Sequence, residues 1–548
     1  MSIKKLLIRL VVPTGLPLLS LFCFIILESF LLGYGFLFLG VLFIWRKLKF
    51  DGYAHARCIL LFSAWYAGAE LISDGLNQWL FALSVMGLIG IITQEKVVKR
   101  AVRGRYLEYS NLTVDYSIAD KVIRMASRGY LNAMSLVLIV LASTSFFPAW
   151  IAFWFVIAYA LLLACALYLL YQYRRYNQYL SDGNVVKSID ETKPVFALYL
   201  SGPPNASFHS IMWLPYLDKV GLTYFVIVRE PRHIAPLKKH TDSAIVCALA
   251  IPHVESLLVD SLKAVFYVNN GMKNTHLVKY RGLKHIQLLH GDSDKVSSFN
   301  PITKMYDFVF VAGKAGIDRY EKNGVVIPKE NFVIVGRPQV SDIQVRNEVK
   351  LNLSEMTVMY APTWAGYASD ANYSSLRIGC RIIKDLLSLN VKIIFRTHPF
   401  ARKYPVTATF IKQCEALLME DNAVSKSSHV FGDDAEKVLL SECFNKSDIL
   451  ISDVSSIASD WLFSEKPFLI TDMYDEGDGM KVSFPLSDVA YKVNSNGENI
   501  IEVMNEIVMS DHLKNGRISM KKYYLGDFEE DTYENGFINA ARTICLKT

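Results

Sequence analysis

The sequence predicts an α-helical membrane region followed by a soluble α/β region built of two parallel-sheet halves. The 548-residue chain is 52% hydrophobic, with a mean hydropathy of +0.24, and the apolar excess lies in its first third. Three long blocks there, 10–45, 58–93 and 129–173, contain no Lys or Arg. Short β-branched runs then alternate with helical patterns almost to the end, which is typical of βαβ units. A chain of this length should form more than one domain.

The three blocks without Lys or Arg predict membrane spans. A transmembrane helix needs about 20 apolar residues, and each block is 36 to 45 residues long, so each fits a hairpin of two spans. The hairpin tips would be 33–35, 73–75 and 147–149, which puts every basic segment on the cytoplasmic side. We therefore expect residues 1–176 to be a multi-pass region of about six spans in the cytoplasmic membrane. Four spans with a re-entrant or surface-lying pair is the alternative.

The charge distribution separates the same two regions. Residues 1–175 hold 17 basic and 8 acidic side chains, a surplus of +9, whereas the whole chain carries +6, so the remaining 373 residues are net −3. The basic excess therefore belongs to the membrane region, where it suits anionic lipid headgroups. No segment resembles a nucleic-acid-binding module, so we expect membrane lipids and not nucleic acid as partners.

The soluble part divides into two α/β halves. The polar residues 177–193 predict a linker, and a second polar segment at 347–354 predicts the boundary between halves at 194–350 and 351–548. Two such halves that face each other across a cleft are the architecture of nucleotide-diphosphate-dependent transferases of the GT-B type. We expect this GT-B-like region to lie on the cytoplasmic side of the membrane.

Four predicted strands of the soluble part end in polar residues that can bind a ligand. His290 follows the predicted strand 286–289, and Thr363 follows the strand 357–360. Arg396 and His398 follow the strand 391–395. Asp453, Ser455 and Ser456 follow the strand 449–451. In open α/β sheets, ligands bind outside the carboxyl ends of the strands, so these residues predict one cleft.

Ser455 and Ser456 fall where a helix should begin. Their hydroxyls and the unpaired N–H groups of the first turn would converge on a point that favours an anion, which predicts a phosphate site. Plain N-capping by serine is the alternative interpretation.

The two strand-end histidines are candidates for acid–base chemistry. His290 begins a glycine-containing turn, where an imidazole is suited to take a proton from an attacking hydroxyl. His398 lies beside Arg396, a combination that suits charge on a transferred phosphoryl group. Structural turn histidines are the alternative in both cases. Asp292 and Asp294 form an Asp-x-Asp pair that suits Mg²⁺, but a solvated turn is the simpler interpretation, and we assign no metal site.

These residues carry a resemblance to a known family. The motifs, in chain order, are His290-Gly291-x-x-x-Lys295, Tyr360-Ala361-Pro362-Thr363-Trp364, Arg396-x-His398-Pro399, and Ser452-Asp453-x-Ser455-Ser456 followed by Asp460 and Lys466-Pro467. Over about residues 190–540, this ordered set resembles the CDP-glycerol glycerophosphotransferase family, the teichoic acid primases and polymerases.

The resemblance implies a GT-B fold with a CDP-activated polyol as donor substrate in the C-terminal half and an acceptor in the N-terminal half. By position, His290 would be the base on the acceptor hydroxyl, and His398 would stabilise the donor phosphate. The donor-binding and phosphate-binding residues would be Ser455, Ser456, Asp453, Thr363, Arg396 and Lys295. The scheme requires no metal and no bound cofactor.

The function predicted from the sequence is transfer of a polyol phosphate in cell-envelope polymer synthesis. A membrane-bound enzyme would move glycerol phosphate, or a similar group, from a CDP-linked donor to a polyprenyl-linked or glycan acceptor. Two alternatives remain open at this point. One is a GT-B glycosyltransferase that uses a nucleotide sugar, and the other is a non-catalytic nucleotide-binding membrane module.

Overall fold

The chain forms two compact units. A computed structural model describes residues 12–47, 54–176, 182–291, 294, 296–346, 352–364, 373–425, 427–480 and 484–547. The first unit contains the described residues up to Ser188, except Tyr109–Asn111, together with Ala250–Leu257. The second unit contains Tyr109–Asn111, Ile189–Leu249 and everything from Leu258 onward.

The first unit is built of helices. They are Val12–Ile25, Phe30–Lys47, Ala54–Leu71, Gly75–Arg105, Ile118–Ala126, Gly129–Ala142, Ala149–Tyr176 and Ile251–Ser256. Two of them, Gly75–Arg105 and Ala149–Tyr176, are long and apolar enough to cross a membrane. A third span results if the bent pair Ile118–Ala126 and Gly129–Ala142 counts as one. Among the described residues, length and composition therefore identify two or three spans, and the arrangement of six stays a prediction.

Two of the three hairpin tips predicted from the sequence coincide with breaks between helices. One helix ends at Leu71 and the next begins at Gly75, where Asp74 caps the new helix by accepting a hydrogen bond from the Leu76 N–H at 3.1 Å. The tip predicted at 147–149 also falls in a break, because the helix Ala149–Tyr176 begins there.

The first predicted tip is displaced. The chain turns between Ile25 and Phe30, where Glu28 has a φ of 47°, and the predicted tip at 33–35 is helical instead. Gly33 serves close packing, because a Cβ at this position would overlap the ring of Phe24. The Ser20 hydroxyl also donates to the Gly33 carbonyl at 2.9 Å. The glycine that predicted a turn thus permits two helices to approach each other.

The second unit contains two sheets, and the first of them has eight strands. These are β1 Glu108–Ser110, β2 Phe196–Leu200, β3 Tyr224–Val228, β4 Ile245–Cys247, β5 Ala264–Tyr267, β6 Lys284–Gln287, β7 Phe308–Val311 and β8 Phe332–Ile334. Their order is β1-β4-β3-β2-β5-β6-β7-β8, and the pairs from β2 to β8 are parallel. Helices described beside these strands are Ser207–Ile211, Leu214–Lys219, Ile234–Leu237, Thr275–Val278 and Lys314–Lys322.

The second sheet has five parallel strands. These are β9 Thr357–Ala361, β10 Lys392–Phe395, β11 Ile449–Ser452, β12 Phe468–Thr471 and β13 Tyr491–Val493, in the order β10-β9-β11-β12-β13. The described helices that follow β9 are Gly379–Ser388, Pro405–Val424, Gly432–Lys437, Leu440–Lys446, Ser456–Trp461, Ile500–Met509, Lys514–Leu525 and Asn535–Leu546. Two doubly wound parallel halves agree with the GT-B-like architecture predicted from the sequence.

The boundaries of the halves differ from the prediction at both ends. The expected linker 177–193 contains the helix Gly183–Glu191, and β1 adds a strand from the predicted membrane region to the first sheet. The last helix, Asn535–Leu546, was predicted to belong to the second half. It instead inserts Phe537 into the core of the first half, where its ring lies 5.0 Å from that of Trp213. The amphipathic pattern of this helix predicts an apolar face but does not specify which core that face covers.

A buried ion pair joins the two halves. Arg337, which follows β8, pairs through two nitrogens with both carboxylate oxygens of Asp460 in the helix Ser456–Trp461, and its Nη2 lies 3.1 Å from Oδ2. Both side chains are less than 10% exposed. The backbone N–H of Arg337 donates to the Tyr533 hydroxyl at 3.0 Å, which fixes the chain at the same point.

We expect Asp460→Asn to destabilise the chain by about 3–5 kcal/mol, because it removes the charged partner with which the buried Arg337 guanidinium pairs. The matched control is Glu442→Gln, which breaks the exposed Glu442–Lys446 pair and should cost at most about 1 kcal/mol. Urea denaturation of the detergent-purified chain measures both. Equal denaturation midpoints for the two variants would show that the buried pair does not stabilise the contact between the halves.

Candidate active site

The candidate site lies at the switch points of the two sheets. In the first sheet the strand order reverses between β2 and β5, and in the second between β9 and β11. Ligands of open α/β sheets bind in the crevice at such points, outside the carboxyl ends of the strands. His209 follows β2, and Thr363 and Asp453 follow β9 and β11. His290 follows β6, the neighbour of β5.

The two halves come into contact at these strand ends. A Cβ added at Gly291, next to His290, would lie 3.5 Å from the Ser456 hydroxyl. The rings of Phe208 in the first half and Phe400 in the second lie 6.5 Å apart in an edge-to-face arrangement. The structure therefore brings Gly291, next to His290, close to the turn that carries Ser455 and Ser456, here called the serine turn.

His290 is held in one tautomer. Its Nδ1 lies 3.0 Å from the carbonyl oxygen of Val268, which can only accept, so Nδ1 donates and Nε2 carries the lone pair. The turn itself is fixed by the indole of Trp213, which donates to the Leu289 carbonyl at 2.7 Å. Burial lowers the pKa of His290, the nearby cation Arg337 lowers it further, and the Val268 carbonyl opposes both effects. A neutral imidazole with an available lone pair is the form that a general base requires.

His398 is held in the opposite tautomer. Its Nδ1 lies 3.1 Å from the backbone N–H of Phe400, which can only donate, so Nδ1 accepts and the proton is on Nε2. The ring of His398 stacks on that of Trp364, with centroids 5.9 Å apart, and its backbone N–H donates to the Pro362 carbonyl at 3.3 Å. A fixed N–H of this kind can donate to a phosphate oxygen.

The two histidines belong to one aromatic cluster that crosses the cleft. Phe208 lies 6.0 Å from His290, and Phe400, which packs on Phe208, lies 5.5 Å from His398. The structure thus places both rings at the same cleft, one with an Nε2 lone pair and the other with an Nε2–H. The catalytic roles predicted for them stay predictions.

Asp453 organises the ends of three strands. Its fully buried carboxylate accepts from the Thr363 N–H at 2.7 Å, from the Ser375 N–H at 3.2 Å and from the Thr471 hydroxyl at 2.7 Å. Burial raises the pKa of Asp453, and the hydrogen bonds from its neighbours lower it. The buried Asp453 carboxylate therefore fixes the Thr363 N–H at the switch point of the second sheet.

The serine turn has the form that the sequence predicted. Ser455 is the extended residue before the helix Ser456–Trp461, and its side chain makes no capping hydrogen bond. Its hydroxyl lies 3.1 Å from that of Ser452 instead. The N-capping alternative therefore does not describe Ser455, and both serines are partly exposed at the cleft.

Arg396 makes contacts that the sequence did not indicate. Its Nη1 donates to the carbonyl oxygens of Ala435, at 2.7 Å, and Val438, at 2.5 Å. These bonds hold the segment 435–438 against the end of β10. A role for Arg396 in the donor site, as predicted from the family motif, would act through this segment.

The Asp-x-Asp segment is only partly described. Asp294 accepts from Arg319 Nε at 3.0 Å and from the Tyr524 hydroxyl at 2.6 Å, so both of its carboxylate oxygens have protein partners. Asp292 and the predicted phosphate ligand Lys295 lie outside the described residues. Within the part of the chain that the structure describes, no cluster of three His, Cys, Asp or Glu side chains could hold a metal.

Sequence reasoning missed His209, whose ring stacks directly on that of His290. Its signal was available, because the strand 196–200 is also followed by a polar segment, 201–209, at a carboxyl end. Arg337 was also missed, since its importance depends on pairing with Asp460, which lies 123 positions away.

Two parallel-sheet halves whose switch points share one cleft, with two oriented histidines and a serine turn, define a GT-B-like transferase. The model of the family described as CDP-Glycerol:Poly(glycerophosphate) glycerophosphotransferase matches residues 251–518. Over these residues the chain matches the CDP-glycerol glycerophosphotransferase family, as the four motifs predicted, and this match supports a glycerophosphotransferase-like enzyme.

Comparison with solved structures finds distant similarities. The wall teichoic acid polymerase TagF is 16% identical with a TM-score of 0.43, over 66% of this chain and 92% of that chain. A putative UDP-N-acetylglucosamine 2-epimerase from Listeria monocytogenes is 10% identical with a TM-score of 0.42, over 65% of this chain and 98% of that chain. These TM-scores are too low to establish a common fold, so the architecture rests on the strand orders above. No curated protein matches the chain.

Proposed function

We propose that the chain transfers a polyol phosphate, such as glycerol phosphate, from a CDP-linked donor to a polyprenyl-linked or glycan acceptor. The family match supports the donor class and the reaction class. The observation that carries the catalytic assignment is the pair of opposite tautomers at one cleft, with the lone pair on Nε2 of His290 and the proton on Nε2 of His398.

His290 acts on the acceptor in this proposal. Its Nε2 takes the proton of the acceptor hydroxyl as the oxygen attacks the β-phosphorus of the donor. A bond forms between the acceptor oxygen and phosphorus, and the bond from phosphorus to the bridging oxygen of CMP breaks. The hydrogen bond from Nδ1 to the Val268 carbonyl stabilises the imidazolium that results, because this carbonyl stays an acceptor of the charged ring.

His398 and the serine turn act on the donor. The Nε2–H of His398 donates to a phosphate oxygen on which charge increases, and the hydroxyls of Ser455 and Ser456 hold the diphosphate. Asp453, which lies two residues before Ser455, holds the Thr363 N–H and the Thr471 hydroxyl in place through its buried hydrogen bonds. CMP leaves with the bridging oxygen and its negative charge.

The first unit anchors this reaction to a membrane in the proposal. The helices Gly75–Arg105 and Ala149–Tyr176 support it by their length and hydropathy. The basic surplus of the first 175 residues favours a position of the charged segments at an anionic cytoplasmic surface. A membrane-bound enzyme would remain within reach of a polyprenyl-linked acceptor.

Incubation of the detergent-purified chain with CDP-glycerol and a prenyl-diphosphate-linked glycan should release CMP and add glycerol phosphate to the acceptor, as detected by mass spectrometry. His290→Asn should lower kcat by about 10²–10⁴-fold because the base is lost. His398→Ala should lower it by about 10²–10³-fold because a donor to the developing charge is lost. The exposed His240 supplies the matched control, His240→Asn, which should retain activity.

The same assay separates the other classes. Sugar transfer from UDP- or CMP-linked sugars in place of polyol phosphate would identify a glycosyltransferase. Binding of CDP-glycerol without turnover would identify a nucleotide-binding module. Full activity in His290→Asn would remove the proposed base.

The pH dependence of kcat/KM reports the protonation of His290. Only the neutral imidazole accepts a proton, so kcat/KM should be constant above the pKa of His290 and fall as the pH decreases through it. Because burial and Arg337 lower this pKa, the acid limb should lie below the ordinary histidine value of 6.5. A decrease of kcat/KM centred at pH 6.5 or above would contradict the described environment of the His290 ring.

Membrane integration is tested by fractionation of cells that produce the full chain. The protein should stay in the membrane fraction through an alkaline carbonate wash and be released by detergent, since burial of two or more apolar helices is not reversed by pH. Release by carbonate alone would indicate a peripheral association instead.

A further inference from the structure

His209 lies against the proposed base. It belongs to the short helix Ser207–Ile211, and its imidazole stacks on that of His290 with ring centroids 3.5 Å apart and planes inclined by only 11°. The stack covers one face of the His290 ring. The edge of Phe208 also contacts His290, with centroids 6.0 Å apart.

Two consecutive residues after β5 orient both imidazoles. The Val268 carbonyl accepts from His290 Nδ1. The next side chain, Asn269, accepts from the Gly271 N–H through Oδ1 at 3.1 Å, which turns its amide nitrogen towards the Ser201 carbonyl at 2.9 Å and His209 Nδ1 at 3.4 Å. His209 Nδ1 is therefore the acceptor, and both rings are fixed from one point of the backbone.

The helix that carries His209 is anchored independently. His233 is fully buried, and its Nε2 lies 3.2 Å from the Gly202 carbonyl, so Nε2 donates and Nδ1 accepts from the Ser207 hydroxyl at 2.8 Å. This bridge connects the start of the helix to the loop after β2. His209 is thus held in place before any ligand binds.

The charges around the stack leave His209 neutral. Burial, with smaller contributions from the neighbouring His290 and His233, lowers the pKa of His209 to about 2. The other charged group that acts on His290 is Arg337, from the turn after β8, which is itself paired with Asp460. From the second half, the uncharged Ser456 hydroxyl lies 3.5 Å from a Cβ built at Gly291, the residue next to His290. His209 therefore shields His290 from water without adding a charge.

We propose that His209 is a positioning residue for the reaction, whose flat ring holds the imidazole of His290 in the orientation and the dry environment that a base needs. This inference rests on the proposed function of His290. In this proposal the polar segment 201–209, which follows β2, contributes to the catalytic site of the first half. His209 itself exchanges no proton.

The test compares three residues at position 209 in the full, detergent-purified chain. His209→Leu fills the space without a flat ring, His209→Ala opens it, and His209→Phe restores a flat ring without nitrogens. His209→Leu and His209→Ala should each lower kcat by about 10–100-fold, because misplacement of a reacting group by about 1 Å has this effect. The KM for CDP-glycerol should change by no more than about twofold, since the donor binds in the other half. His209→Phe should recover at least about tenfold of the lost kcat.

The pH profile separates positioning from plain packing. Water admitted to the face of His290 weakens the effect of burial, so the acid limb of kcat/KM in His209→Leu and His209→Ala should move upward, by about half a pH unit or more. In His209→Phe it should stay near the wild-type position. His240→Ala is the control for loss of a histidine from the same half, and thermal unfolding of each variant identifies any that fail to fold.

Two outcomes would overturn the inference. If His209→Leu changes neither kcat nor the acid limb of kcat/KM, the stack is only packing. If His209→Leu and His209→Phe lose the same amount of kcat, the ring does not act by its flat shape. Activity in His290→Asn would instead remove the proposed function itself. An inactive His290→Asn beside a fully active His209→Leu would remove this inference alone.

Discussion

The ion pair between Arg337 and Asp460 connects the parts of this protein on which its chemistry depends. Arg337 leaves the first sheet close enough to His290 to lower the pKa of that ring, and Asp460 lies in the helix that begins with the serine turn. One buried contact therefore sets the distance between the candidate base and the candidate phosphate site. Because removal of either partner leaves a charge in a poorly hydrated interior, the two halves are strongly held in this arrangement.

Within each half, single polar groups at the switch point determine orientation. In the second half the Asp453 carboxylate gathers the ends of β9, β11 and β12. In the first half, Val268 and Asn269 fix the two stacked imidazoles through one carbonyl and one amide. The tautomers of His290 and His398 follow from backbone groups, which do not titrate. The cleft is thus organised for proton transfer before a substrate enters.

Local pattern in the sequence accounts for most of the strands and for the motif residues. The predicted strands 357–360, 391–395 and 449–451 agree with β9, β10 and β11 to within one residue at each end, because buried parallel strands are short, apolar and bounded by polar turns. Long-range choices were not predictable. The spacing of apolar residues does not specify which distant elements the fold brings together. It therefore does not predict that Gly33 packs on Phe24 or that Arg396 donates to carbonyls of a distant segment. The stacking of His209 on His290 is not predictable for the same reason.

The return of the last helix to the first half has a consequence for biosynthesis. Phe537, Ala541 and Cys545 complete a core whose other members are encoded between residues 196 and 335. A nascent chain therefore cannot close that core until translation has passed residue 545. The first half must stay partly open while the second is made, so the cleft arises in one late step, after the ribosome has supplied both of its walls.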